Sequence, residues 1–182
     1  TTLPREARVG RGLARTFQIN QLFATMTPVE MIALVISERL GHGRKPLRAL
    51  DRDAELVAET AEILARFRLD DIMDERIATL PYGKQRQIEI AAAFAAKPSV
   101  LLLDEPAAGV PEAERRELMA MVAGLPEDVS VLLIEHDMDL VFRFATRITV
   151  LVNGRLLADG TPAEIAGDPA VRAAYLGEHG HG

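Results

Sequence analysis

Two adjacent carboxylates at the end of an apolar run are the residues best placed to do chemistry. Leu101-Leu102-Leu103-Asp104-Glu105-Pro106 reads as a buried strand ending in acid. In open α/β sheets, ligands lie at the carboxyl ends of the strands. A carboxylate there can hold Mg²⁺ against nucleotide phosphates, directly or through water. The next carboxylate points elsewhere and can polarise an attacking water. Two solvated acids in a turn would look the same in isolation. Farther along, Ile134-Glu135-His136-Asp137 is a second strand end, on the same edge of the sheet as Asp104. His136 could hydrogen-bond a terminal phosphate, although an isolated His at a strand tip is more often a surface residue. Leu80-Pro81-Tyr82-Gly83-Lys84-Gln85 stands just before a helix. Gly83 lets a backbone come close, and a helix N-terminus attracts anions, but many helices begin this way. Gln18, in Arg15-Thr16-Phe17-Gln18, is a ligand for metal or water, or simply a loop amide.

The elements that must carry these residues follow from pattern. A short strand lies within 12–17 and leads into a loop. Thr27-Pro28-Val29-Glu30 starts a helix with a reciprocal cap and a proline where no N–H is needed. A second helix spans about 52–67, with Leu56, Val57, Ile63, Leu64 and Phe67 on one face. A third runs from Tyr82 or Gly83 through Ala96. Gly41, Gly43 and Pro46 mark an exposed loop between the first two. Beyond residue 99 the pattern changes. Apolar strands at 100–104, 129–134 and 148–152 alternate with helices at 111–122 and 137–145. Asn153-Gly154 is a hairpin signal, with a returning strand at 156–158. Thr161-Pro162-Ala163-Glu164 repeats the capped start, and Asp168-Pro169 opens a last helix ending near Leu176. Continuous apolar strands alternating with helices predict a parallel sheet covered on both faces. The stretch 28–98 is helical and inserted between two of its strands.

Composition narrows the function classes. The 182 residues are 48% hydrophobic and 26% charged, ordinary for a globular protein. The net charge of −6 lacks the basic face a nucleic-acid binder needs, so nucleic acid is not an expected partner. There is no cysteine, hence no disulfide framework or thiolate metal site. The longest unbroken apolar run, 90–96, falls well short of the ~20 residues of a membrane-crossing helix.

Taken together, the motifs change the weighting. A glutamine loop, a helical insert, a glycine turn opening a helix, an apolar strand ending in Asp-Glu-Pro, and a strand ending near His follow one another in that order. This resembles the ATP-binding subunit of an ABC transporter, over 13–178. Arg15-Thr16-Phe17-Gln18, Tyr82-Gly83, Leu101-Leu102-Leu103-Asp104-Glu105-Pro106-Ala107-Ala108-Gly109, Leu133-Ile134-Glu135-His136-Asp137-Met138-Asp139-Leu140 and Ala174-Tyr175-Leu176-Gly177-Glu178 look most like the ATPases of branched-chain amino-acid importers. The resemblance implies an α/β, P-loop NTPase-like core with an inserted helical subdomain. Residues 1–27 would open the core, 28–98 would form the helical subdomain ending in the signature helix, and 99–182 would complete the core. It implies ATP and Mg²⁺ as ligands. Gln18 matches the Q-loop glutamine, near Mg²⁺ and the attacking water. Leu80, Pro81, Tyr82, Gly83 and Lys84 match the signature motif, which clasps ATP bound to a partner subunit. Asp104 matches the Walker B aspartate for Mg²⁺, Glu105 the catalytic glutamate, and His136 the switch histidine near the γ-phosphate. Expected partners are a second ATPase subunit, identical or sister, and integral membrane permease subunits. The expected location is peripheral, on the cytoplasmic face of the inner or plasma membrane.

The sequence departs from the family in places. The signature often has Ser where Pro81 stands and Gly where Tyr82 stands, and the loop after Gly109 is one residue short. More tellingly, no G-x-x-x-x-G-K-[ST] occurs. The only Gly-Lys pair is Gly83-Lys84, with Gln85 next and Ala78 where the first glycine should be. A phosphate cradle needs those backbone N–H groups and that lysine. Since Gln18, Asp104, Glu105 and His136 are all present, a core incomplete at its N-terminus is expected, competent for ATP hydrolysis in a longer protein and inactive as this stretch. Such shortening would uncover the strands at Val100 and Val131 and leave the chain prone to swapping or oligomerising. The alternative is a non-catalytic module of the same fold that docks a membrane subunit. An ABC-type ATPase of DNA repair is disfavoured, because 28–98 has no sustained heptads and the charge is acidic.

Overall fold

The computed structural model describes residues 2, 4–16, 22–42 and 53–176. The chain divides into two compact units, Thr1–Glu135 and His136–Gly182.

In the first unit, a short helix α1 (Arg5–Val9) leads into β1 (Leu13–Arg15). Helices α2 (Pro28–Arg39), α3 (Ala54–Arg66) and α4 (Tyr82–Ala95) then intervene before β2 (Val100–Asp104). Helix α5 (Glu112–Ala123) connects β2 to β3 (Ser130–Ile134). The three strands form a parallel sheet in the order β1-β2-β3. Both sides of the predicted box at Thr27 are made: the Glu30 amide donates to Thr27 Oγ1, and the Thr27 amide to Glu30 Oε2. Asp53 caps α3 through a bond from the Leu56 amide.

Helix α4 is the pillar of this unit. It packs against α2, α3, α5 and β1, and buried residues surround its axis: Ile88, Ile90, Ala91, Ala92 and Ala95, but also Arg86, Gln87 and Glu89. A helix buried around most of its circumference belongs inside a core. Polar side chains buried on it need partners. Gln87 donates to the Phe67 carbonyl and contacts the Met121 sulfur.

Three expectations are corrected. Leu56, Ile63, Leu64 and Phe67 are buried, but Val57 is exposed; its neighbour Leu56 fills the core-facing slot, and adjacent helical positions diverge by about 100°. Among the described residues of the first unit, the sheet is packed on one face. Leu101, Leu103, Val131 and Leu133 join the core, whereas Leu132 and Ile134 are 59% and 57% exposed. Strand alternation assigns Val131 to the covered face and its neighbours to the open one, so the uncovered apolar residues are Leu132 and Ile134 rather than Val131. The third predicted strand does not join the parallel sheet; it pairs within a separate hairpin.

That hairpin lies in the second unit. Helix α6 (Met138–Phe144) is capped by Asp137 through a bond from the Leu140 amide. Strands β4 (Ile148–Val152) and β5 (Arg155–Gly160) pair antiparallel, with a register shift at Val150/Leu151. The turn between them places Asn153 at φ 50° and Gly154 at φ 74°, the left-handed pair that the predicted turn demands. Helix α7 (Pro162–Gly167) has its full capping box at Thr161 and Glu164, and α8 (Pro169–Val171) runs into a π-turn at Arg172–Leu176. A small core of Ile148, Val150, Ile165 and Val171 holds the unit together. Among the described residues no helix is long and apolar enough to cross a membrane.

Candidate functional site

The carboxyl ends of β1, β2 and β3 form one edge of the parallel sheet. Asp104 is the last residue of β2 and is paired in register with Ile134, the last of β3. The strand alternation places the Asp104 side chain on the open face, 27% exposed. There its Oδ2 accepts from Arg15 Nη2 at 3.1 Å, across the neighbouring strand. Glu105 follows with φ 45°, a left-handed conformation that is unfavourable for a residue with a Cβ. Its amide donates to the Ile134 carbonyl at 2.9 Å, and its carbonyl accepts from the Ala108 amide at 3.1 Å. Glu135, just past β3, accepts from the Ala107 amide at 3.1 Å. The two sequence-adjacent acids are thus divided by geometry: one carboxylate projects at the strand end, and the next starts a turn bonded to the neighbouring strand.

The turn before α4 stands against this acidic turn. Arg86, with no exposed surface, donates from Nη2 to the carbonyls of Asp104 (3.2 Å) and Glu105 (3.1 Å), and from Nε to that of Pro106 (3.2 Å). Its Nη1 donates to Glu89 Oε2 at 2.5 Å. A Cβ on Gly109 would lie 3.1 Å from Tyr82 Cε1, so the Tyr82 ring covers that glycine, which itself has φ 74°. A Cβ on Gly83 would lie 2.0 Å from Glu114 Oε2; a glycine there lets the carboxylate come against the first turn of α4, where the helix dipole favours negative charge. Leu80 and Gly83 are buried, Lys84 is half-buried, and Pro81 and Tyr82 are exposed. Pro81 is the N-cap and supplies no side-chain capping bond; the first amides of a helix favour an anion.

The structure therefore brings Asp104, Glu105 and residues 80–84 into one unit. His136 is exposed and opens the second unit, immediately before the α6 cap. Gln18 lies outside the described residues. Three residues at the acidic turn were not singled out from sequence: Arg15, Arg86 and Glu135. Arg86 and Glu89 stand three apart along α4, on one side of the helix, and that spacing was the one available signal.

The donor set suits Mg²⁺ held chiefly by phosphate. Mg²⁺ in such sites takes one or two protein carboxylates, with phosphate and water completing its octahedron. Asp104, at an accessible strand end and 27% exposed, has the chemistry of such a carboxylate. Among the described residues no group of three or more His, Asp or Glu is gathered as an all-protein metal site would require.

Comparison with known proteins identifies the family. A family model described as ABC transporter matches residues 2–108, and one described as branched-chain amino acid ATP-binding cassette transporter matches residues 155–181. The chain is 40% identical over 185 residues to the high-affinity branched-chain amino acid transport ATP-binding protein BraF of Pseudomonas aeruginosa, covering 97% of this chain and 72% of that protein. It is 37% identical over 190 residues to LivG of Escherichia coli, a protein of the same description, with the same two coverages. Among solved structures, the ADP conformation of MJ1267, an ATP-binding cassette of an ABC transporter, superposes with a TM-score of 0.77 at 26% identity, over 97% of this chain and 73% of that one. The chain belongs to the ATP-binding cassette family of ABC transporters, among the branched-chain amino acid transport ATP-binding proteins.

Proposed function

We propose that the chain is the part of an ABC importer's ATPase that activates water and orders Mg²⁺, in a transporter that takes up branched-chain amino acids. The observation that carries this is the delivery of Asp104 and Glu105 to the carboxyl edge of a parallel sheet, with Glu105 turned left-handed out of the strand. Bound Mg·ATP supplies the phosphoryl group and the charge that must be neutralised. Asp104 would hold Mg²⁺ through a carboxylate oxygen, directly or by way of water. Glu105 would accept the proton of the attacking water on its carboxylate. His136 would donate to a γ-phosphate oxygen and Gln18 would position Mg²⁺ and water. Leu80, Pro81, Tyr82, Gly83 and Lys84 would present the amides of α4 to the nucleotide of a second ATPase subunit. In this reading 28–98 is the helical subdomain, between core segments 1–27 and 99–182. Permease subunits in the membrane would hold the ATPase peripherally at the cytoplasmic face.

The test is Glu105→Gln in the assembled transporter. Hydrolysis should fall ~10²–10⁴-fold, the usual worth of a positioned base, while Mg·ATP still binds. Uptake of labelled leucine should fall in parallel. Hydrolysis that survives the change intact removes Glu105 from the chemistry. Loss of hydrolysis with a transporter that never carried leucine reassigns the solute alone.

A further inference from the structure

We propose that Arg86 is a positioning residue for Glu105: its guanidinium, anchored on Glu89, holds the acidic turn in the backbone conformation that aims the Glu105 carboxylate. The inference rests on reading Glu105 as the base. Successive carbonyls of an extended chain point to alternate sides. Here those of Asp104, Glu105 and Pro106 all accept from one guanidinium, at 3.2, 3.1 and 3.2 Å. That convergence goes with the φ of 45° at Glu105, which turns the chain just where the strand ends. A left-handed, Cβ-bearing residue persists only where its surroundings over-determine it. Arg86 acts from the helix side, while Ile134 and Glu135 bond the Glu105 and Ala107 amides from the strand side.

The chemistry of the donor matters. A guanidinium presents several N–H groups in a fixed plane, whereas an ammonium is a compact point charge. Arg86 is wholly buried and Glu89 is 8% exposed, so their pairing at 2.5 Å fixes the fork's orientation. Arg86 also lies one turn beyond Gly83, so the first turn of α4 and the acidic turn are held as one piece. Displacement of the helix start, where a partner's nucleotide would bind, would be passed to Glu105 through this side chain.

The test is Arg86→Lys in the intact ATPase within its transporter. The expected result is a fall in kcat for ATP hydrolysis of about 10²-fold, the scale of an ångström misplacement, with KM for Mg·ATP unchanged. Hydrogen exchange of the Glu105, Ala107 and Ala108 amides should speed at least about tenfold by local opening, while that of residues 88–92 in the middle of α4 stays as it was. In a Glu105→Gln background, Arg86→Lys should cost nothing further in kcat. Independent, multiplying losses would overturn the proposal, as would a raised KM at constant kcat or faster exchange along the whole of α4. If Arg86→Lys does not fold, Glu89→Gln loosens the same fork with Arg86 kept, and the same readings apply. A Glu105→Gln variant that hydrolyses normally strikes the base assignment instead, and the exchange data then still report whether Arg86 holds the turn.

Discussion

Of the left-handed positions in the molecule, Glu105 in the first unit and Asn153 in the second are held by opposite means. Asn153, at φ 50°, sits in the β4–β5 hairpin beside Gly154. Asparagine tolerates that region and glycine favours it, so the turn is specified by its own residue types. Glu105, at φ 45°, has neither advantage. It is kept there by Arg86 from α4 and by Ile134 and Glu135 at the end of β3. Each unit also has an arginine grip. Arg147 holds the Asp159 carboxylate through Nε at 3.1 Å and Nη2 at 2.7 Å, with 72% of its side chain exposed. Arg86 is buried and grips backbone. The hairpin is ordered locally, and the acidic turn is ordered by the tertiary fold.

The largest test of that contrast is stability. Arg86→Met takes the buried guanidinium away from the Glu89 carboxylate and should destabilise the first unit by about 3–5 kcal/mol, the scale for breaking a buried pair. Arg147→Met, at an exposed pair, should lower the denaturant midpoint only slightly. Equal responses in the two variants would end the distinction. A smaller effect separates the two backbones. Glu105→Gly removes the cost of the left-handed conformation and should stabilise by about 1 kcal/mol, less the added freedom of the unfolded chain, while hydrolysis is lost with the carboxylate. Asn153→Ala should instead destabilise by about 1 kcal/mol. A destabilised Glu105→Gly would mean that the turn carries no strain.

The same contrast explains what could be read from sequence. Thr27 with Glu30, Thr161 with Glu164, and Asn153-Gly154 are local signals, and each is realised as its spacing predicts. The apolar run before Asp104 placed the acids at a strand end for the same reason. Arg86 was hidden in Lys84-Gln85-Arg86-Gln87, a polar run that reads as a solvated helix start. Its burial depends on α4 being surrounded by α2, α3, α5 and β1, which no short window contains. The open sheet face was missed because continuous apolar strands look alike whether one or both faces are packed. The pairing of β4 with β5 was legible in Asn153-Gly154; that this hairpin forms a sheet of its own was not, because an apolar strand does not name all its neighbours.

The smallest effect lies at the acid end of the hairpin. Hydrogen bonds from Arg147 and then Thr149 hold the Asp159 carboxyl below its ordinary value of 3.8. Bonds from the Thr161 amide and hydroxyl lower Glu164 from 4.5 in the same sense. Both groups release their proton more readily folded than unfolded, so the unfolded chain binds more protons in this range. Their stabilisation is therefore complete above the ordinary carboxylate values and disappears as pH falls through the lowered ones. Arg147 is raised by the same contact and stays charged throughout, so the acid limb belongs to the carboxylates. Acid unfolding of the second unit, followed by hydrogen exchange at 148–160, should become less steep below the ordinary carboxylate range in Asp159→Asn, and shallower again with Glu164→Gln added. High salt should blunt the Asp159 part, since the pair is exposed. The acidic turn of the first unit should be indifferent to both substitutions, because its hold is a guanidinium on backbone carbonyls. An acid limb unchanged in both variants would show that the hairpin is held by its turn residues and small core alone.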